Sequence, residues 1–186
     1  MMKKIISILS FFVFLVSCSG NAVEIKEEAN EETVKMQVRS LIAFDEGANY
    51  GGGWTDGSNG GSGFGDWGIT TEGTAGTFIG DPDAAGISGM STTSFGLYAN
   101  PVGDNYVNAD RSFSNPLSVG EKFSFQWGVN WDSDGVGNKG FVLYSDGTEE
   151  IVINMGEGAV ITINDNPVFS EYGTNAMTFN FEYINC

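Results

Sequence analysis

Histidine is absent from this 186-residue chain, and cysteine occurs only twice, at Cys18 and Cys186. That excludes Ser-His-Asp and Cys-His nucleophile systems and the His/Cys zinc sites, whose chemistry needs an imidazole or clustered thiolates. Basic residues are also scarce, with 8 Lys and Arg against 24 Asp and Glu and a formal net charge of −16. A surface this acidic repels phosphate backbones, because nucleic-acid affinity rests on cations that displace counterions. Nucleic acid is therefore not an expected partner. The only long apolar run, Ile5 to Val16, is too short to span a bilayer as a helix.

What is present begins with that run. Met1 to Lys4 is a short positive stretch, the apolar segment follows, and Leu15-Val16-Ser17-Cys18 closes it with small residues before a cysteine. This order predicts a signal peptide over residues 1–17. The closing tetrapeptide resembles the lipobox of bacterial lipoproteins, and that resemblance implies that Cys18 is acylated and becomes the new N-terminus after cleavage. Several acyl chains together make a stable anchor at about 0.8 kcal/mol per buried CH2. The expected partner of Cys18 is thus membrane lipid. Ser19 stands where an aspartate would have suggested inner-membrane retention, which favours the outer membrane or cell surface within the cell envelope. Residues 18–40 carry Glu24, Glu27, Glu28, Glu31 and Glu32 and no aromatic side chain. A segment of this kind buries too little to offset its chain entropy and is expected to be a solvated tether.

From Leu41 onward glycine and aromatic residues dominate. The window Gly47 to Met90 holds 15 of the 27 glycines, each costing a helix roughly 1 kcal/mol relative to alanine. Strands are the expected scaffold. Phe123, Phe125, Trp127, Val129 and Trp131 alternate with Lys122, Ser124, Gln126, Gly128 and Asn130, the period-two pattern of a strand with one buried face. Met177, Phe179, Phe181 and Tyr183 repeat it. Asp146-Gly147 between two apolar runs predicts a hairpin, and Glu157-Gly158 before Val160 to Ile163 extends it into an antiparallel meander. Shorter candidates fall at Leu41 to Phe44, Trp67 to Thr71, Thr77 to Ile79, Phe95 to Ala99 and Tyr106 to Phe113. Together these predict an all-β domain over residues 41–186, an antiparallel β-sandwich or jelly roll of the concanavalin A-like or carbohydrate-binding-module-like type.

The segments Asn59-Gly60-Gly61-Ser62-Gly63-Phe64-Gly65-Asp66-Trp67, Ala109 to Leu117 and Asn138-Lys139-Gly140-Phe141 resemble uncharacterised secreted bacterial β-sandwich domains rich in glycine and aromatics. The resemblance implies a fold and an extracellular address and carries no activity. It also implies further strands beyond Ile184, so a domain truncated at its C-terminus is one expectation.

Four constellations invite chemistry. Asn130, Asp132 and Asp134 with Asn138 occupy positions 1, 3, 5 and 9 of an EF-hand-like loop, a spacing that brings oxygen ligands toward calcium. Phe141 stands where the bidentate glutamate belongs, so a standard EF-hand is excluded and an Asx-rich turn is the plainer alternative. Asp81-Pro82-Asp83 is a second, weaker acidic turn. Gly63-Phe64-Gly65-Asp66-Trp67-Gly68 satisfies G-x-G-x-x-G without the crossover and helix a dinucleotide needs, so tight loop geometry explains it. Tyr50, Trp54, Trp67 and Trp131 lie among Gly, Asn, Asp and Ser, a mixture able to stack on a sugar ring and bond its hydroxyls. Trp67 and Trp131 could equally cap the ends of the core, and Trp54, inside a polar glycine-rich loop, is the residue expected to be exposed. Paired carboxylates for glycoside hydrolysis are certain to occur by coincidence among 24 acids, but no Glu-x-Asp-x-x-Glu strand pattern is present. Arg111, one of three basic residues after Leu41, is expected to form a local ion pair. The expected function is non-catalytic binding of an extracellular glycan, with calcium as the candidate cofactor. The alternatives are a structural or protein-interaction envelope component and, third, a carboxylate-dependent hydrolase.

Overall fold

The computed structural model describes residues 7–8, 41–100, 103–130, 137–156, 160–169 and 175–184. Cys18 and the rest of the tether, Trp131, Asp132, Asp134 and the Glu157-Gly158 turn lie outside the described residues. The chain is all-β. Its strands are β1 (Ser7–Ile8), β2 (Gly68–Glu72), β3 (Ala75–Gly80), β4 (Ser94–Ala99), β5 (Tyr106–Asp110), β6 (Lys122–Trp127), β7 (Asn138–Ser145), β8 (Thr148–Met155), β9 (Ile161–Ile163), β10 (Asn166–Phe169) and β11 (Met177–Glu182). Helix among the described residues is confined to two three-residue 3-10 turns, Gly47–Asn49 and Asp83–Ala85. Strand pairing is antiparallel throughout, apart from the parallel pairing of β1 with the start of β7. The hydrogen-bonded orders are β1-β7-β8-β9-β10, β11-β6, β2-β5 and β3-β4.

The meander follows its turn residues. Asp146 (φ 49°) and Gly147 (φ 79°) form the two-residue loop between Ser145 and Thr148, which pair with each other. Two positive φ values in succession give the twist that matches the flanking strands. A second such loop, Asn164 (φ 47°) and Asp165 (φ 63°), returns β9 into β10. Its asparagine caps the neighbouring strand: the Val152 N–H donates to Asn164 Oδ1, and Asn164 Nδ2 donates to the Glu150 carbonyl. The strand it leads into is absent from the sequence expectations, because Pro167 sits inside it and Asn-Asp is a weaker turn signal than Asp-Gly.

The alternation in β6 is realised. Phe123, Phe125 and Trp127 are buried while Lys122 is exposed, and β11 pairs with β6 residue for residue from Met177 opposite Trp127 to Glu182 opposite Lys122. Phe125 is fully buried and lies against Phe141 (ring centroids 4.3 Å apart) and Phe179 (5.2 Å). Burial of each such ring is worth about 1.5–3 kcal/mol. Three expected strands come out shorter. Leu41 to Phe44 contributes only a bridge from Phe44 to Ser62. The Tyr106 to Phe113 run ends as a strand at Asp110, after which Phe113 bridges Phe64. The Phe123 to Trp131 run ends at Trp127, where Gly128 is pressed against Ile87. Tyr183, on the core-facing parity of β11, is 52 % exposed because it lies one residue past the strand's end.

Candidate functional site

The polarity of the loop from Asp45 to Trp67 is the reason Trp54 is expected to face solvent. In the folded chain that polarity turns inward. Arg111, just after β5, reaches under the loop with its side chain 4 % exposed and pairs with Asp45, itself 1 % exposed. Its Nη2 donates to the Gly65 carbonyl (2.7 Å) and to Asn59 Oδ1 (2.7 Å), and its Nε donates to Gly65 as well (3.1 Å). The guanidinium lies over Phe64 (4.5 Å) and Trp67 (4.7 Å), so its face is covered by rings. Tyr50 Oη donates to Asp45 Oδ2 (2.6 Å) and accepts from Trp67 Nε1 (2.9 Å). Burial, reinforced by the Asp45 carboxylate, holds the Tyr50 phenol above its ordinary pKa.

This network places the expected platform residues in the core. Tyr50, Trp54 and Trp67 are buried, and Trp54 packs against Trp67 (5.1 Å) and Phe95 (4.7 Å). Thr77 Oγ1 donates to the Trp54 carbonyl and fixes the loop onto β3. The expectation that Trp54 faces solvent is therefore corrected: the glycine-rich neighbours let the chain turn back sharply enough to seat its indole. Trp131 lies outside the described residues. The Gly63 to Gly68 motif is loop geometry, as expected. Gly63 has φ +75°, and a Cβ there would lie 1.9 Å from the Ile42 carbonyl oxygen.

The exposed aromatics among the described residues are Tyr144, Tyr183 and a pair on the β3–β4 hairpin. Phe78 is 49 % exposed and Tyr98 41 %. The register sets Gly96 opposite Phe78 and Gly76 opposite Tyr98, so each ring settles onto bare backbone. A Cβ at Gly96 would fall 2.2 Å from Phe78 Cζ, and one at Gly76 would fall 2.9 Å from Tyr98 Oη. The two ring centroids are 6.4 Å apart. Residues of one parity share a sheet face. Phe78, Gly80, Ser94, Gly96 and Tyr98 thus form one side of the hairpin, while Phe95 and Leu97 point into the core.

Beside Phe78 this face opens into a cleft of about 50 Å³, room for a water or two or one small polar group. Asp81, Ser94 and Asn130 are its polar lining residues, and Pro82, Ala85 and Ile87 line it with apolar surface. Ser94 is 3 % exposed and its Oγ has no hydrogen-bond partner among the described residues. Such an orphan costs about 1–3 kcal/mol. Asp81 is exposed and accepts the Asp83 N–H on Oδ1 (3.0 Å), an Asx turn that orients the carboxylate. The cleft therefore joins two separately noted sequence features, the Asp81-Pro82-Asp83 turn and Asn130.

Of the calcium candidates, Asn130 is exposed at this cleft. Asn138, at the start of β7, is half-buried and accepts from Asn154 Nδ2 (3.4 Å). Among the described residues no three His, Cys, Asp or Glu side chains converge on a metal position. The Phe78–Tyr98 strip was missed by sequence reading. Its signal was available as Gly76-x-Phe78-x-Gly80 against Ser94-x-Gly96-x-Tyr98, two alternations out of phase, so that glycine in one strand marks the ring of the other. Comparison of the chain with protein-family models, with curated proteins and with solved structures finds no match.

Proposed function

We propose that this chain is a non-catalytic, lipid-anchored module of the cell envelope that binds an extracellular glycan on the outer face of the β3–β4 hairpin. The finer architecture we propose is an antiparallel sandwich of jelly-roll type. The observation that carries the reading is the pair Phe78 and Tyr98, half-exposed and seated on glycine, beside a cleft lined by Asp81 and Asn130. Aromatic faces suit the C–H faces of a pyranose, and polar groups at their edge suit its hydroxyls. The leader and the lipobox-like Leu15-Val16-Ser17-Cys18 support the address. A panel of soluble oligosaccharides tests the reading: retention that is lost in Phe78→Ala and Tyr98→Ala supports it, and a blank panel contradicts it.

A second reading, a structural or protein-interaction component of the envelope, is favoured by the burial of Trp54, Trp67 and Trp127 in one core. Under that reading Phe78→Ala abolishes co-purification of an envelope protein and leaves no saccharide affinity to lose.

A further inference from the structure

Resting on the glycan reading above, we propose that the cleft beside Phe78 takes the ammonium group of an amino sugar, so that the ligand class is a glycan carrying free 2-amino groups. No lysine or arginine lines the cleft among the described residues, and its only formally charged side chain is Asp81. With Oδ1 of Asp81 occupied by the Asp83 N–H, Oδ2 remains as an acceptor. Asn130 brings the other side-chain acceptor among the described lining residues, whereas the unpartnered Ser94 Oγ is buried out of reach of solvent. An ammonium offers only donors, so accessible acceptors with no cation beside them form a complementary set. The volume fits one small group and not a whole ring. The sugar ring itself would lie outside, against Phe78, whose π face also attracts a cation. Long-range attraction points the same way, since the chain carries a net charge of −16. A uronic-acid polymer meets the opposite field and is disfavoured.

Three β-1,4-linked hexamers that differ only at C2 separate this inference from the reading beneath it: glucosamine (ammonium), N-acetylglucosamine (acetamide) and glucose (hydroxyl). Each is titrated calorimetrically into the full-length chain at moderate salt. The glucosamine hexamer is expected to bind about three- to tenfold more tightly than the other two, as an exposed carboxylate and ring contribute. Asp81→Asn, which keeps the Oδ1 acceptor of the turn, is expected to erase that preference. Glu150→Gln, an exposed carboxylate outside the cleft, is expected to keep it. Equal affinity for all three hexamers overturns the ammonium site and leaves the platform standing. Equal losses in Asp81→Asn and Glu150→Gln assign the preference to net charge and overturn the site. No binding of any hexamer overturns both the site and the platform.

Discussion

Two groups of aromatic residues in this chain sit opposite to where their neighbours in sequence would put them. Tyr50, Trp54 and Trp67 belong to a polar, glycine-rich loop and are buried. Phe78 and Tyr98 belong to strands and are half-exposed. In the first group a buried cation, Arg111, collects the loop's carbonyl and amide oxygens and draws the rings under it. In the second, glycines across the hairpin remove the side chains that would otherwise stand between the rings and the sheet. Burial is thus set by what lies over and under a ring, and the polarity of the adjacent residues predicts it poorly.

The sharpest way to break the comparison is to remove the cation. Arg111→Met leaves the Asp45 carboxylate buried without its partner, and loss of one member of a buried pair costs about 3–5 kcal/mol. Urea denaturation is expected to show that loss, with a red shift of native tryptophan emission as the loop lifts from Trp67. Adding Asp45→Asn should restore part of the stability. An unshifted midpoint would mean that the network does not hold the loop.

Exchanging stability for binding is the next test. Trp54→Ala removes a core indole and should cost about 3–5 kcal/mol, with saccharide affinity altered only through unfolding. Phe78→Ala should cost about 1 kcal/mol or less and weaken oligosaccharide binding at least about tenfold. The two variants, compared by melting and by calorimetric titration, are expected to give opposite profiles. Gly96→Ala falls between them: its new Cβ displaces the Phe78 ring, which is free to swing outward, so about 1 kcal/mol is lost.

Tyr50 links the comparison to pH. Its folded pKa is raised above the unfolded value near 10, first by burial and then by its bond to Asp45. Its contribution is therefore complete below pH 10. It is lost as the pH rises from the unfolded pKa through the folded one, because the unfolded chain releases the proton first. Denaturation midpoints between pH 9 and 11.5 are expected to fall in the parent chain and to fall less steeply in Tyr50→Phe. The smallest effect belongs to the exposed Lys122–Glu182 pair (3.1 Å). Lys122→Ala should shift stability by no more than about 0.5 kcal/mol, with little remaining at high salt.

The strands were more legible than the site. Period-two alternation located β6 and β11, and Asp146-Gly147 located the β7–β8 hairpin, because both signals are local and act through backbone geometry. β10 was hidden by Pro167. The pairing of Arg111 with Asp45 joins residues 66 apart in sequence, and no local pattern records which carboxylate a lone arginine will meet. The Phe78–Tyr98 strip is intermediate: its residues form local alternations, but their meaning appears only once β3 and β4 are set in register.

Hydroxyl-radical footprinting of the folded chain, resolved to single residues by mass spectrometry, tests the central claim most directly. Rapid oxidation of Phe78 and Tyr98 is expected, together with protection of Tyr50, Trp54 and Trp67 until the chain is denatured. Fast oxidation of Trp54 in the folded state, with Phe78 protected, would contradict it.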